Sequence, residues 1–231
     1  TLRNSSAASD VYKRQLIRYL MRHRHTTPFE MVEFKFHCKM PIFVARQWVR
    51  HRTANINEYS LRYSEARDEF YFPDPDNIEF QSALNKQGRM GEVDSKLKHK
   101  VQKYFKEISQ RSFEIYSELN EAGVARELAR AILPVNLYTE WYWKNDLHNL
   151  LHFIGLRSDG HAQYEIRVFS DAMASFVKKV APFAWEAYQD YAVKGMRFSK
   201  IEQIFLQKKL PDRVIDDIQE DVAYQLTASL H

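Results

Sequence analysis

The chain has 231 residues, of which 45% are hydrophobic and 14% aromatic, and this content excludes an intrinsically disordered protein. Only 6 glycines and 7 prolines argue against a loop-rich β fold, so we expect mostly helix with some strand. The formal net charge of +4 suits anionic ligands but is too small to indicate nucleic acid by itself. The length fits one domain with a sizeable core.

The single cysteine, Cys38, excludes an intramolecular disulfide and agrees with a reducing compartment. The sequence has no run of 18 apolar residues, and residues 1–15 lack the apolar core of a signal peptide. We therefore expect a cytoplasmic protein.

The first predicted elements are two helices and a strand. Apolar side chains at helical spacing indicate a helix over residues 16–24, and Thr27, Pro28 and Glu30 have the form of a capping box that begins a short second helix. Residues 32–40 alternate apolar and polar side chains, which indicates a half-buried strand with Cys38 on its apolar face.

The stretch 46–63 has the composition of an anion-binding site. On a helix that begins with Pro41 at its first position, Arg46 and Arg50 would share a face. Beyond the helix, an extended segment would place Glu58, Ser60 and Arg62 on one side. A basic, solvated helix end followed by a loop is the alternative interpretation. The basic side chains of the stretch are Arg46, Arg50, His51, Arg52 and Arg62.

The later elements complete an α+β pattern. Residues 73–91 show no periodicity and predict a surface loop, which is a candidate mobile lid. Helices are predicted over residues 97–123 and 125–133, and alternation over residues 135–143 predicts a second strand. Asp146 can cap a helix that runs to residue 156, and further helices are predicted over residues 160–180 and 182–193.

Two other functions are considered from the residues alone. His148 and His152 have the spacing of a helical zinc pair, with His161 as a third ligand, but the general-base Glu of an HExxH motif is absent. Nucleic-acid binding would use the Arg-rich helix with aromatic side chains as stacking groups. The basic residues are interleaved with apolar ones, however, and do not form a broad stripe. No Gly-rich phosphate loop is present.

The order of residues 50–63 resembles the signature RHRxxSxNExSxRY of the flavin-dependent thymidylate synthases. Every fixed position matches except one, where Asn55 replaces a serine and can still donate and accept hydrogen bonds. Four further blocks resemble the family in the same order. They are residues 25–30, 41–48, 133–139 and 156–166.

This resemblance implies a single α+β domain with a central, largely antiparallel sheet flanked by helices. We expect this domain over residues 16–193, a truncated or replaced N-terminus over residues 1–15, and a C-terminal extension over residues 194–231. The resemblance also implies a homotetramer with shared active sites, without nucleic-acid or membrane partners. The implied reaction is the reductive methylation of dUMP to dTMP by a methyltransferase. Methylenetetrahydrofolate would supply the one-carbon unit, and NADPH would supply the reducing equivalents through FAD.

The resemblance also implies which residues form the site. The implied FAD contacts are Thr27, Arg50, His51, Arg52, Glu58, Asp146, Leu147, His148 and His152. The implied dUMP contacts are Gln47, Trp48, Val49, Arg50, Glu58, Tyr59, Ser60, Leu61, Arg62, Arg130 and Arg157. Arg157 would be the catalytic residue, because a guanidinium held against the uracil would stabilise negative charge that develops at N3 and O4. No metal and no side-chain nucleophile are required.

Overall fold

The computed structural model describes residues 2–83 and 88–209, which divide into two compact units. One unit comprises the described residues of segments 1–28 and 175–231, and the other comprises those of segment 29–174. The boundaries expected at residues 16 and 193 stay a prediction. None of the helices in the described part of the chain is long and apolar enough to cross a membrane.

The first unit is helical. It contains α1 (Leu2–Arg22), α8 (Pro182–Tyr188), a π-helical turn (Gln189–Val193) and α9 (Lys200–Lys209). Arg18 holds α1 against the segment after α8, because its guanidinium donates to Asp190 Oδ2 at 2.6 Å. The helix predicted over residues 16–24 is thus the end of a longer one, and it stops at Arg22 just before Arg24 takes a positive φ of 57°. The short α2 (Thr27–Glu30) follows.

A three-stranded antiparallel sheet forms the centre of the second unit. Its strands are β1 (Glu33–Pro41), β2 (Asn55–Glu58) and β5 (Tyr138–Asp146), and their order in the sheet is β1, β5, β2. Both predicted strands are therefore confirmed as elements, and they pair with each other, with Cys38 opposite Trp141. Cys38 is buried on the apolar face, as the alternation predicted.

The second predicted strand begins three residues later than expected, at residue 138 instead of 135. The chain before it turns, with Leu137 N–H donating to the Pro134 carbonyl at 3.0 Å. The carbonyls of Val135 and Leu137 accept from Phe43 N–H and Ile42 N–H, each at 2.9 Å. Residues 135–137 therefore satisfy the first donors of a neighbouring helix instead of extending the strand.

That helix, α3 (Ile42–Trp48), is shorter than the sequence predicted. Pro41 is the last residue of β1 and occupies the position before the helix, so its predicted place at the first helical position is wrong by one residue. The helix ends at Trp48, and Arg50 lies in the turn that follows. The predicted shared helical face of Arg46 and Arg50 is therefore wrong.

An aromatic cluster fixes the end of α3. Trp48 is fully buried, with its ring centroid 5.5 Å from Trp141, 5.4 Å from Trp143 and 5.0 Å from Phe153. Alternation along β5 places both tryptophans on the face that α3 covers. Truncating a buried tryptophan costs about 3–5 kcal/mol of folding free energy, so this cluster holds the residues that follow α3 firmly in place.

The remaining described helices lie between residues 95 and 180. α4 (Ser95–Glu121) is capped by Asp94, whose carboxylate accepts from Leu97 N–H at 2.9 Å, and Gly123 follows with a positive φ of 82°. The predicted helix over residues 125–133 is broken into α5 (Arg126–Ala129) and a 3-10 turn (Arg130–Ile132). α6 (Leu147–Arg157) begins at its predicted cap, because Asp146 accepts from Asn149 N–H at 2.8 Å. α7 (Tyr164–Val180) follows.

The segment predicted as a surface loop contains short elements of secondary structure. A 3-10 turn (Pro75–Asn77) precedes β3 (Glu79–Gln81), which pairs with β4 (Arg89–Glu92) in a two-stranded antiparallel sheet. The expected absence of structure is wrong for the described residues of this segment. Strands of three and four residues are too short to show alternation in the sequence.

Candidate active site

The end of α3 and the turn after it meet the end of α6 and its connection to α7 through two side-chain hydrogen bonds. Arg157 Nε, at the end of α6, donates to His51 Nε2 at 3.0 Å. Gln47 Nε2, in the last turn of α3, donates to Gln163 Oε1. The His51 ring also lies edge-on to Phe153, with 4.8 Å between ring centroids. The aromatic core and these bonds together bring four signature or block residues to one place.

The bond between Arg157 and His51 requires a neutral histidine. The guanidinium is always charged and can only donate, so His51 Nε2 accepts and the ring proton lies on Nδ1. Burial, together with the nearby Arg157 and His152, lowers the pKa of His51 to about 4. Burial also lowers the pKa of Arg157. Within the described part of the chain no acid pairs with Arg157, so its charge is available to a ligand.

A carboxylate network continues from Gln163. Glu165 is only 5% exposed, and both of its oxygens accept from Arg89 Nη2, at 2.7 and 2.6 Å. Tyr71 Oη donates to Oε1 and Gln163 Nε2 donates to Oε2, each at 2.8 Å. Burial by itself would raise the pKa of Glu165, but the hydrogen bonds from Arg89, Tyr71 and Gln163 hold it below its ordinary value.

Sequence reasoning assigned no role to this network. Gln163 and Glu165 lie in the block 156–166, but nothing local indicates that one of them bonds to Gln47, 116 residues away. Arg89 lies in the segment that was predicted to be a loop. The only signal in the sequence was the position of Gln163 and Glu165 within a family block.

A second group of predicted contacts lies around β2 and α5. Glu58 Oε1 accepts from Thr139 Oγ1 at 2.7 Å, and Arg62 Nη2 donates to Glu127 Oε2 at 2.9 Å. The chain turns after Ser60, so the predicted alternation of Glu58, Ser60 and Arg62 along one extended segment is wrong at Arg62. The Ser60 hydroxyl instead accepts from the backbone N–H of Arg62 at 3.4 Å.

The basic residues of this second group can reach an anion. The ion pair between Arg62 and Glu127 is more than half exposed on both sides, and such surface pairs contribute about 0–1 kcal/mol. An incoming phosphate can therefore replace the carboxylate at little cost. Arg130 is half-buried, and its side chain makes no hydrogen bond or ion pair with another described residue. No hydrogen bond among the described residues joins this group to Arg157.

The residues implied as cofactor contacts have the donors that a diphosphate needs. Arg50 and Arg52 are exposed and form no ion pair within the described ranges. His148 and His152 lie one turn apart on α6, with the His152 ring centroid 6.4 Å from that of His51. Guanidinium groups that have no acidic partner suit the diphosphate of a dinucleotide. The described donors therefore fit FAD.

Some implied contacts are restricted by burial. Trp48 and Leu147 are 0% and 2% exposed, so their side chains are closed to a ligand in this structure. Asp146 is engaged by Asn149 at the start of α6, and Tyr59 donates its hydroxyl to the Glu65 carbonyl at 3.1 Å. Val49 is 40% exposed. Thr27 begins α2 and belongs to the first unit.

The metal interpretation receives no geometric support. Across residues 2–83 and 88–209, no group of three His, Cys, Asp or Glu side chains is placed to hold a metal ion. His161 bonds to Asp159, with 2.8 Å between Nδ1 and Oδ1, and it is well exposed.

Comparisons with known proteins show which family the chain is similar to. The model of the family described as "Thymidylate synthase complementing protein" matches residues 2–183, and so begins inside the segment 1–15 that contains none of the family blocks. Solved structures of a UMP/dUMP methylase PolB from Streptomyces cacaoi are also similar. The one bound with 5-Br UMP has a TM-score of 0.72 and 34% identity, covering 76% of this chain and 81% of that one. The one bound with 5-Br dUMP has a TM-score of 0.70 and 34% identity, covering 76% and 78%.

Three relatives are named flavin-dependent thymidylate synthases. The protein of Rickettsia prowazekii (strain Madrid E) is 52% identical over 198 residues, covering 80% of this chain and 67% of that protein. The protein of Ehrlichia ruminantium (strain Gardel) is 55% identical over 185 residues, covering 80% and 62%. The protein of Dictyostelium discoideum is 50% identical over 187 residues, covering 81% and 61%. This chain thus spans about two thirds of its relatives' length.

The chain therefore belongs to the flavin-dependent thymidylate synthase family, which confirms the resemblance found in its sequence. The mixed helical and antiparallel architecture predicted from that resemblance is also confirmed. The alternative of a nucleic-acid-binding protein finds no support in these relatives.

The neutral state of His51 predicts a pH dependence of stability. An unfolded histidine takes up a proton near pH 6.5, whereas folded His51 stays neutral until about pH 4. The unfolded state thus binds more protons between these values, and the free energy of unfolding should fall as the pH drops from 6.5 to 4.5. Denaturant titrations of the wild type and of His51→Asn measure this, and the variant should lose part of the slope. As a control, the stability curves of the two proteins should be parallel from pH 7 to 8. Equal slopes between pH 6.5 and 4.5 would contradict the neutral state assigned to His51.

Proposed function

We propose that this chain converts dUMP to dTMP by reductive methylation. Methylenetetrahydrofolate serves as the one-carbon donor, and NADPH serves as the reductant through FAD. The observation that carries the proposal concerns Arg157. It is charged, has no acidic partner among the described residues, and bonds to a neutral His51 of the family signature. The names of the relatives and of the dUMP methylase structures support the substrate and the flavin. Cytoplasmic location remains a prediction from the sequence.

The nucleotide phosphate is assigned to the second group of residues. Arg62 and Arg130 supply guanidinium donors and Ser60 supplies a hydroxyl, which are the groups that bind a phosphate through several hydrogen bonds. Arg62 must exchange its exposed pair with Glu127 for the phosphate, and Arg130 has no described partner to give up. We include Gln47, Trp48, Val49, Arg50 and the residues Glu58, Tyr59 and Leu61 as further dUMP contacts.

Arg157 is the catalytic residue of the proposal. Its guanidinium stabilises negative charge that develops at N3 and O4 of the uracil ring, making the ring a better reaction partner. The neutral His51 orients the Arg157 guanidinium by accepting from its Nε. A carboxylate in the same place would cancel the charge of the guanidinium, whereas the neutral ring does not. No side-chain nucleophile takes part. Burial raises the pKa of the Cys38 thiol to about 12, so that thiol stays neutral within β1.

FAD is assigned to the exposed basic turn after α3 and to the start of α6. Arg50 and Arg52 pair with its diphosphate, and His51, His148 and His152 supply further donors. Thr27, Glu58, Asp146 and the backbone of Leu147 complete the proposed contacts. When bound, FAD passes the reducing equivalents from NADPH to the one-carbon unit.

A homotetramer with shared active sites is part of the proposal, as the family resemblance implies. Arg157 and Arg62 would then both lie around one nucleotide, with Arg157 from one subunit and Arg62 from another.

The visible absorption spectrum of the purified protein is the first test of the proposed function. With FAD added, we expect the bands of an oxidised flavin, and these should shift when dUMP is added because both ligands share one site. The shift with dUMP should be absent when thymidine is added instead, since thymidine lacks the phosphate that Arg62 and Arg130 bind. A protein that takes up no FAD would contradict the proposed function.

Arg157→Ala should separate cofactor binding from turnover. The variant should keep its flavin spectrum but lose dTMP formation by a factor of about 100 or more, because one electrostatic donor to a developing anion contributes on that scale. Arg111→Ala, which removes an exposed arginine from α4, is the matched control and should form dTMP at the wild-type rate. Retained turnover in Arg157→Ala would remove the catalytic role of this residue.

Mixing two inactive variants tests the shared sites. Arg157→Ala and Arg62→Ala subunits should each be inactive alone. Mixed tetramers made by co-expression should recover activity, because some sites then take both arginines from intact segments of different subunits. No recovery in confirmed mixed tetramers would show that both arginines come from the same chain.

A further inference from the structure

A chain of hydrogen bonds leads from a buried carboxylate to Gln47, one of the proposed dUMP contacts. Arg89 and Tyr71 bond to Glu165, Glu165 bonds to Gln163, and Gln163 bonds to Gln47. Within the described chain, Gln47 Oε1 has no hydrogen-bond partner. The series of hydrogen bonds therefore ends at the Gln47 amide, whose nitrogen is engaged and whose carbonyl oxygen is free.

The donor-to-acceptor direction of this hydrogen-bond series follows from its buried end, Glu165. An ionised carboxylate can only accept, so the atom of Gln163 that lies 2.8 Å from Glu165 Oε2 is the amide nitrogen. Gln163 then presents its oxygen to Gln47, and an oxygen can only be met by the Gln47 nitrogen. The carbonyl of Gln47 is left to face away from Gln163. A glutamine amide alone has no such preference, because its two ends are nearly the same size.

Two features keep Glu165 ionised and the polarity fixed. Arg89 Nη2 contacts both carboxylate oxygens within 2.7 Å, which is the range of charge-assisted hydrogen bonds. Glu165 and Gln163 also line a cavity of about 780 Å³ whose other walls include apolar side chains such as Phe43, Phe105 and Ile108. Tyr71 lines the same cavity and donates to Oε1 of Glu165 at 2.8 Å, which adds a second donor that favours the ionised carboxylate.

We propose that Glu165 and Gln163 are positioning residues that hold Gln47 as a hydrogen-bond acceptor toward the nucleotide. The inference rests on the proposed function, in which Gln47 contacts dUMP. The group that Gln47 recognises is then a donor of the nucleotide, either N3–H of the uracil ring or the sugar 3′-hydroxyl. If the partner is N3–H, the fixed Gln47 amide also discriminates between bases. Cytosine carries an acceptor at N3, which would face the Gln47 carbonyl oxygen and leave two acceptors opposed.

The same bonds have a purely structural interpretation that the experiment must separate. Arg89 lies on β4 and Glu165 on α7, so their ion pair also ties the two-stranded sheet to that helix. A structural role predicts that weakening the network lowers the affinity for every nucleotide alike. A positioning role predicts that only the discrimination between nucleotides changes.

The test variant is Gln163→Met, which keeps the length of the side chain but removes both amide groups. It leaves the bonds of Arg89 and Tyr71 to Glu165 in place and frees the Gln47 amide to rotate. Gln163→Leu is a second variant in case methionine disturbs folding. Tyr71→Phe is the matched control, since it removes one bond to Glu165 without touching Gln163.

Calorimetric titration of the FAD-bound protein measures the dissociation constants of three nucleotides. These are dUMP, dCMP for the base, and 2′,3′-dideoxyuridine 5′-monophosphate for the sugar hydroxyl. In the wild type and in Tyr71→Phe, we expect one of the two analogues to bind about tenfold more weakly than dUMP, the scale of one hydrogen bond together with an unpaired polar group. In Gln163→Met this ratio should shrink to about threefold or less, because the released amide can turn.

Each outcome has a distinct meaning. A ratio that shrinks for dCMP identifies N3–H, and one that shrinks for the dideoxy nucleotide identifies the 3′-hydroxyl. Unchanged ratios in a folded Gln163→Met or Gln163→Leu protein, whatever the affinity for dUMP, would overturn the inference and leave the proposed function standing. A wild-type protein that binds FAD but none of the three nucleotides would overturn the proposed function and the inference together.

Discussion

The packing of Trp48 against the central strand is the constraint on which the site depends. Trp48 is fully buried among Trp141, Trp143 and Phe153, and these three come from β5 and α6. The cluster ends α3 at a fixed place on the sheet and fixes α6 beside it. Gln47 and His51 are therefore held opposite Arg157 and Gln163 before any ligand arrives, which spares the cost of ordering them on binding.

The electrostatics of the site separate a buried charge, Glu165, from a half-buried one, Arg157. Glu165 is buried and saturated with donors, so it stays ionised and serves as the fixed end of a hydrogen-bond chain. Arg157 bonds only to a neutral ring, and its charge remains uncompensated among the described residues. Leaving a cation unpaired costs free energy of folding, and under the proposed function an anionic transition state would offset that cost.

Local sequence signals identified several elements well. The alternation of β1 and β5 predicted strands with Cys38 and the tryptophans on a buried face, and Asp146 was identified as a helix cap. The failures occurred where backbone groups bond to distant segments. The carbonyls of Val135 and Leu137 receive the first donors of α3, which delays β5, and the short β3 and β4 carry no detectable period.

The sequence by itself determined the family, the residue types of the site and most of the regular elements. The signature over residues 50–63 is local, and periodicity reports which side chains are buried. Periodicity does not report which buried segments face each other. Only the tertiary structure decided that Arg157 bonds to His51 and Gln163 to Gln47, across separations of 106 and 116 residues. Such pairs form because the packed aromatic core sets the distance between α3 and α6, and no short stretch of sequence contains that information.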